Sequence, residues 1–341
     1  MGEPRVVVAE KLSSQQVRAV TELVDGATEE DAVRPLSEHV MLHLRYGGEV
    51  PARHLLALVD DQLVGYAHLD PTDEVEGPSG ELTIDPRYRG RGYGRALATR
   101  MLAEAPNGRL RLWAHGHHPA AAGLAASMGF RRIRSLWQMR RSLFAPLEPP
   151  VFPDDVRLRT FVVGQDDAAW VDLNARAFAD HPEQGSWTLK DLRQRVREPW
   201  FDTDGFFLAE RAGRLVGFHW TKVHGGDMGG GPEGQGGGKR GGRHGHEPIG
   251  EVYVVGVDPD ERGYGLGKAL TLVGLRYLRS RGPAQAMLYV EETNITAIRL
   301  YESLGFTHWD SDVMFASQNR APRRGADPDV HSNDDGQRDR H

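Results

Sequence analysis

The sequence predicts two tandem copies of one α/β unit, and three observations carry that expectation. A glycine-rich pattern occurs twice, as LTIDPRYRGRGYGRAL from Leu82 to Leu97 and as VGVDPDERGYGLGKAL from Val255 to Leu270, 173 residues apart (Leu82 against Val255). Around it, Leu63-Val64-Gly65-Tyr66 and Ser127-Met128-Gly129-Phe130 return in the same order as Leu215-Val216-Gly217-Phe218 and Ser303-Leu304-Gly305-Phe306. That spacing is far longer than a solenoid repeat and reads as domain duplication. The chain of 341 residues is also about twice the usual length of one domain, so each copy is long enough to bury its own core.

Taken in order, His54–Asp60 and Gln62–Leu69 read as paired strands, with apolar residues on either side of the acidic turn Asp60-Asp61. Phe206–Glu210 and Arg214–Lys222 repeat the hairpin around Ala212-Gly213. Each glycine segment follows a strand and opens a helix, expected over Arg95–Ala105 and Lys268–Ser280 from their apolar spacing. Pro146, Pro149, Pro150 and Pro153 make 144–155 a stiff linker between a first domain, 1–143, and a second, 156–316. Within the second, 225–245 is mostly glycine with scattered basic residues and is expected to be mobile, and 317–341 is expected to be a disordered tail.

Composition removes several classes of function. With no cysteine there is no disulfide, zinc–thiolate site or thiol nucleophile. A net charge of -6 gives no basic footprint for nucleic acid. No apolar run reaches the roughly 20 residues of a membrane span, and the opening MGEPRVVVAEKLSS lacks a signal-peptide core, so a cytoplasmic protein away from membranes is expected. His244 and His246 flank a glycine in the second copy's insertion, but no metal is expected there.

The chemistry is carried by Arg-x-x-Gly-x-Gly, at Arg89, Gly92 and Gly94 and again at Arg262, Gly265 and Gly267, each preceded by Asp-Pro and followed by a helix. A strand-to-helix turn of this kind offers bare backbone N–H groups at the positive end of a helix dipole, a site for pyrophosphate. Gly263-x-x-x-Gly267-Lys268-Ala269 is one residue short of a Walker A loop and lacks its Ser/Thr, and neither copy contains Gly-x-Gly-x-x-Gly, which disfavours ATP and dinucleotides.

With these loops, and with Asn294, Ala297, Tyr301, Gly305 and Phe306 spaced as Asn-x-x-Ala-x-x-x-Tyr-x-x-x-Gly-Phe, the chain resembles the GNAT acetyltransferase superfamily over most of both halves. The resemblance implies in each half a mixed, mostly antiparallel sheet flanked by helices, with acetyl-CoA as co-substrate. More narrowly, GEVYVVGVDP, RGYGLGKAL and LYVEETNITAIRLYESLGF in a tandem chain resemble the branch that acetylates the cysteinyl amine of cysteinyl-glucosaminyl-inositol.

Acetyl transfer to an amine needs a neutral nucleophile, a polarised carbonyl and a proton for the departing thiolate. The resemblance assigns the backbone of Val255, Gly256 and Val257 to the thioester and pantetheine arm, with Gly256 permitting close approach. It assigns Arg262, Gly263, Tyr264, Gly265, Leu266, Gly267 and Lys268 to the pyrophosphate, and Asn294, Ile295, Thr296, Ala297, Ile298 and Arg299 to the rest of the coenzyme. Tyr301 becomes the general acid and Glu251 the general base. Glu38, Glu183, Lys222 and Tyr289, with Glu251, become contacts to the acceptor. The amine's reference pKa of about 7.7 to 8.0 leaves the base little to do.

The copies differ at the reacting positions. The Gly-Phe pairs set Ala125 opposite Tyr301 and His118 opposite Asn294, and the glycine loops set Pro78 opposite Glu251. The first copy is therefore expected to bind acetyl-CoA through Leu82, Thr83, Ile84, Gly90, Arg91, Gly92, Tyr93, Gly94 and Arg95 without turning it over. An internal pseudo-dimer suggests a monomer. Two alternatives stay open: an acetyltransferase for another amine, such as an aminoglycoside, a polyamine or a protein N-terminus, and a non-catalytic acyl-CoA sensor.

Overall fold

The computed structural model describes residues 2–47, 51–73, 76–225 and 247–317, without the side chains of 107, 182 and 183. Most of the 225–245 insertion, with His244 and His246, and all of the expected tail except Ser317 lie outside the described residues.

The first half runs β1 (Arg5–Ala9), α1 (Ser14–Asp31), α2 (Glu38–Tyr46), β2 (Arg53–Val59), β3 (Gln62–Asp70), β4 (Ser79–Ile84), α3 (Tyr93–Glu104), β5 (Arg111–Ala114), α4 (Pro119–Ser127) and β6 (Phe130–Ser142). The second runs β7 (Val156–Thr160), α5 (Asp167–Ala177), α6 (Pro182–Gly185), α7 (Leu189–Arg195), β8 (Phe206–Arg211), β9 (Arg214–His224), β10 (Ile249–Val257), α8 (Leu266–Ser280), β11 (Gln285–Glu291), α9 (Ile295–Ser303) and β12 (Thr307–Ser317). No helix or strand falls between Leu143 and Asp155, the proline-rich stretch.

Local chemistry sets the boundaries. The β2–β3 turn places Asp60 and Asp61 at φ 49° and 60°, and the β8–β9 turn places Ala212 and Gly213 at 50° and 76°. This left-handed pair gives a two-residue hairpin the twist of its strands, and aspartate and glycine tolerate it better than alanine. Helix α2 opens on Ser37, whose hydroxyl accepts from Val40 N, with Glu38 in the first turn at the positive end of the dipole. Helices α3 and α8 open on Gly92 and Gly265, both left-handed and without a side-chain cap.

The twelve strands among the described residues form one sheet, in the order β1-β2-β3-β4-β5-β12-β6-β11-β10-β9-β8-β7. Among the described residues, only β4–β5 and β10–β11 pair in parallel. The two halves thus share a sheet because each half's last strand joins the other: β6 pairs with β11, while β12 pairs with β5 and also with β6. The exchange leaves neither β5 nor β11 with an open edge, an arrangement that denies another chain a template for pairing.

The core is divided along this sheet. Leu55, Leu69, Leu97 and Met101 pack β2, β3 and α3 together, Val20, Val24 and Leu36 close the α1–α2 side, and Leu275, Leu278, Leu288 and Phe306 join α8 to β11 and β12. Around Trp170, an aromatic group includes Phe206 and Trp220, stacked with centroids 4.4 Å apart. No helix among the described residues is long and apolar enough to cross a membrane.

Candidate active site

The parallel pairing of β10 with β11 ends at Glu251–Met287, and a bulge in β10 between Val252 and Val254 then turns the strand as it leaves its neighbour. Beyond it, Val255–Val257 keep their pairing with β9 but have no β11 partner. The β10 chain leads into Gly263 and Gly265, at φ 90° and 79°, where a Cβ would meet nothing within 4 Å. These glycines are needed for their backbone shape, and the open space beside them leaves the uncapped start of α8 accessible to an anion. A pyrophosphate fits this geometry.

Helix α9 presents the other side. Asn294 caps it, accepting from Ala297 N at 3.1 Å. Two turns on, Tyr301 is buried, edge-on to Phe306 at 5.9 Å, and burial pushes its phenol up to about 12. Gly256 is also required by the core: a Cβ there would lie 2.7 Å from the Phe218 ring, so the glycine makes room for an aromatic on β9.

A second cluster of side chains at the cleft joins both halves. Glu251 is buried, with Oε2 2.6 Å from His224 Nε2. Beside it, Lys222 pairs with Glu38 from α2 and lies 4.2 Å over Trp200 and 4.9 Å over Tyr253. Tyr253 Oη donates to Glu38 at 2.5 Å and accepts from Arg195 Nε at 2.8 Å. Burial drives the Glu38 carboxyl upward, but the Lys222 and Arg195 charges outweigh it and hold the group below its ordinary value. Burial, with the Glu38 charge, pushes the Tyr253 phenol well up.

Glu38 is held from behind. Ser37 N donates to Glu81 Oε2 at 2.6 Å, Glu81 lies 3.5 Å from His115, and His115 Nδ1 lies 2.8 Å from Asp312 on the exchanged strand β12. Burial opposes protonation of His115, yet the two carboxylates outweigh it and lift its pKa to about 10.

One cleft of about 2670 Å³ collects these groups. It is bordered by Val255–Val257, Arg262, Gly263, Gly265–Lys268, Asn294, Thr296, Ala297 and Tyr301, together with Glu38, Lys222, Glu251 and Tyr289. Tyr264, Ile295, Ile298 and Arg299 do not border it. Glu183 lies in α6, whose Gln184 borders the cleft. Lys268 is engaged by Glu148 of the linker at 2.7 Å, and Arg262 donates to Ala177 O at 3.0 Å.

The first half's loop, Leu82–Ile84 and Gly90–Arg95, stands apart from the cleft. Arg89 there is bound by Asp31 at 2.6 Å. His118 caps α4 as Asn294 caps α9, and Ala125 is buried where the second half has Tyr301. The bulge shifts the strand comparison by one residue: Lys222 faces Glu251 as Asp70 faces Ser79, so Ser79 rather than Pro78 occupies the equivalent place, and it too lacks a carboxylate. Tyr253, Arg195, Trp200, His224 and the Glu81–His115–Asp312 group were missed from sequence, since each owes its place to a bulge or to contacts distant along the chain. Among the described residues, no three His, Asp or Glu side chains are grouped to hold a metal.

A splayed parallel strand pair, a glycine turn into a helix and an asparagine-capped helix carrying a tyrosine define an acetyltransferase of the GNAT class, and the model of the Acetyltransferase (GNAT) family matches residues 19–130 and 169–306. Proteins named mycothiol acetyltransferase are similar along nearly the whole chain: that of Acidothermus cellulolyticus is 60% identical, covering 92% of this chain and 95% of its own, and that of Streptosporangium roseum is 56% identical, covering 89% and 97%. The chain belongs to the mycothiol acetyltransferase family and is an acyltransferase. Two solved structures share its fold: a tandem GNAT protein from the clavulanic acid biosynthesis pathway (TM-score 0.68, 19% identity, covering 93% of this chain and 99% of that one) and a GCN5-related N-acetyltransferase from Sphaerobacter thermophilus (TM-score 0.59, 23% identity, 93% and 96%).

Proposed function

We propose that the chain transfers acetyl from acetyl-CoA to the cysteinyl α-amine of cysteinyl-glucosaminyl-inositol in mycothiol biosynthesis, with the chemistry in the second half. The observation that carries this reading is that the second glycine loop, Tyr301, Glu251 and Glu38 border one cleft built from both halves. In it, the α8 N-terminus takes the coenzyme's pyrophosphate, while the backbone of Val255–Val257 polarises the thioester carbonyl. Glu251 receives the amine proton as the amine attacks, and His224, 2.6 Å away, passes it toward solvent. Tyr301 donates a hydrogen bond to the departing thiolate. Glu38 and Lys222, each held by the other, with Glu183 and Tyr289, contact the acceptor. The first half supplies Glu38 and scaffold and retains a coenzyme loop without turnover. The protein on this reading is a cytoplasmic monomer working on a small molecule, without metal, nucleic acid or membrane.

The test is the ratio of kcat/KM across an amine panel: cysteinyl-glucosaminyl-inositol, free cysteine, glucosamine, an aminoglycoside and a polyamine. The first should lead by at least two decades. A comparable value for any of the others would assign the cleft to a different acceptor.

A further inference from the structure

The surroundings of Tyr289 fix the sense of its hydrogen bonding. Tyr289 on β11 stands directly opposite Gln138 on β6, the strand that the first half contributes to the second half's sheet. Two bonds run in series along this row: Arg140 Nε donates to Gln138 Oε1 at 2.8 Å, and Gln138 Nε2 donates to Tyr289 Oη at 2.8 Å. A guanidinium has only donors, so the amide oxygen must be the atom that faces Arg140. That choice leaves the amide nitrogen, which only donates, against the phenol. Tyr289 Oη therefore accepts from Gln138, and its own single proton is directed elsewhere.

Arg140 is itself fixed, with its guanidinium 4.6 Å over the Trp309 ring. The Glu251 and Asp312 charges act on the phenol, but no hydrogen bond joins either to it among the described residues. Tyr289 is 41% exposed and borders the cleft two residues beyond Met287, the register partner of Glu251. Its proton has the cleft before it.

We infer that Gln138, oriented by Arg140, is a positioning residue that makes Tyr289 a hydrogen-bond donor to an oxygen of the acceptor substrate. The inference rests on Tyr289 being an acceptor contact, as proposed above. It gives the exchanged strand a part in substrate recognition: the orienting amide comes from one half and the phenol from the other.

The test uses the full chain at saturating acetyl-CoA with cysteinyl-glucosaminyl-inositol varied. Gln138→Glu puts an acceptor where the donor was and draws the phenol proton away from the cleft. KM should rise roughly three- to tenfold, the effect of one neutral hydrogen bond, with kcat within about twofold. Tyr289→Phe should raise KM by the same factor, and the double substitution should be no worse than either alone, because phenylalanine has no proton to misdirect. Gln138→Leu adds no charge and serves if the glutamate variant fails to fold: its KM should rise with Tyr289 present and not in the Tyr289→Phe background. An unchanged KM in Tyr289→Phe would remove Tyr289 from the acceptor site and with it the premise. A raised KM in Tyr289→Phe alongside a silent Gln138→Glu, or effects that multiply in the double variant, would overturn the positioning role while leaving that premise standing.

Discussion

Replacing Tyr301 with phenylalanine removes one hydroxyl and keeps the ring that packs edge-on to Phe306. The size of the effect follows from the burial that lifts this phenol to about 12. A thiol of ordinary acidity, near 8.5, gives a thiolate too weak to take that proton outright: full transfer is uphill by about 3.5 pK units, roughly 5 kcal/mol. On the proposed mechanism, Tyr301 therefore serves mainly as a hydrogen-bond donor to the charge developing on sulfur. Such a charge-assisted bond contributes about 1.5–3 kcal/mol, which is roughly a ten- to 150-fold loss of kcat on its removal. This reaches only the lower edge of the roughly 10²- to 10⁴-fold range for general acid–base catalysis. The assay is kcat for Tyr301→Phe from the acetylated product by mass spectrometry, with KM for both substrates, between pH 6 and 10. Both KM values should hold and the alkaline limb should be unaltered, since the phenol does not titrate in that range. Turnover within twofold of wild type would remove Tyr301 from the mechanism. An alkaline limb below pH 10 that vanishes in the variant would show that the phenol does titrate there and that the burial argument fails.

Glu251→Gln should lower the rate at pH 7 by about 10²-fold, the low end for a general base, because the acceptor amine is already partly neutral; the deficit should shrink above about pH 8, and a deficit that stays constant with pH would argue against proton removal by Glu251. Glu38→Ala leaves the buried Lys222 ammonium without its partner, at a cost of about 3 kcal/mol, the lower end for a broken buried pair because Glu38 is partly open to the cleft; the melting temperature should fall and be largely restored by adding Lys222→Met, whereas an unchanged melting temperature would mean that water already screens the pair. His115 has its folded pKa raised to about 10, so it binds a proton in the folded state over a range where the unfolded chain has lost it. Its contribution is complete below about pH 6.5 and declines as pH rises toward 10; denaturant titrations at pH 6.5 and 9.5 should show a steeper loss of stability in the wild type than in His115→Gln, and equal slopes would contradict the charged assignment.

Much of the fold was legible because its signals are local. The acidic β2–β3 turn, the paired glycine loops and the alignment of His118 with Asn294 each depend on a few neighbouring residues, and the structure shows His118 and Asn294 as the caps of corresponding helices. The exchange of β6 and β12 was not legible, since a strand's alternation says which residues face a core and not whose edge the strand joins. The bulge near Tyr253 was hidden for a related reason: one extra residue moves the strand comparison from Pro78 to Ser79 and turns a tyrosine toward Glu38 without altering the apolar pattern. Gly256 carries a second constraint hidden from the sequence, because Phe218 reaches it only across the paired strand. At the site, Glu251 and Tyr301 were singled out through the resemblance to the GNAT superfamily, whereas His224, Arg195 and Gln138 are defined by what they touch.

The most direct test of the proposed function is to mix the protein with acetyl-CoA and cysteinyl-glucosaminyl-inositol and locate the new acetyl group by tandem mass spectrometry, which avoids the confusion of free thiols in coenzyme A release assays. An acetyl on the cysteinyl nitrogen, formed catalytically and about 10²-fold more slowly in Glu251→Gln at pH 7, is the expected result. Coenzyme binding with no acetylated product, or an acetyl carried on another atom, would contradict it.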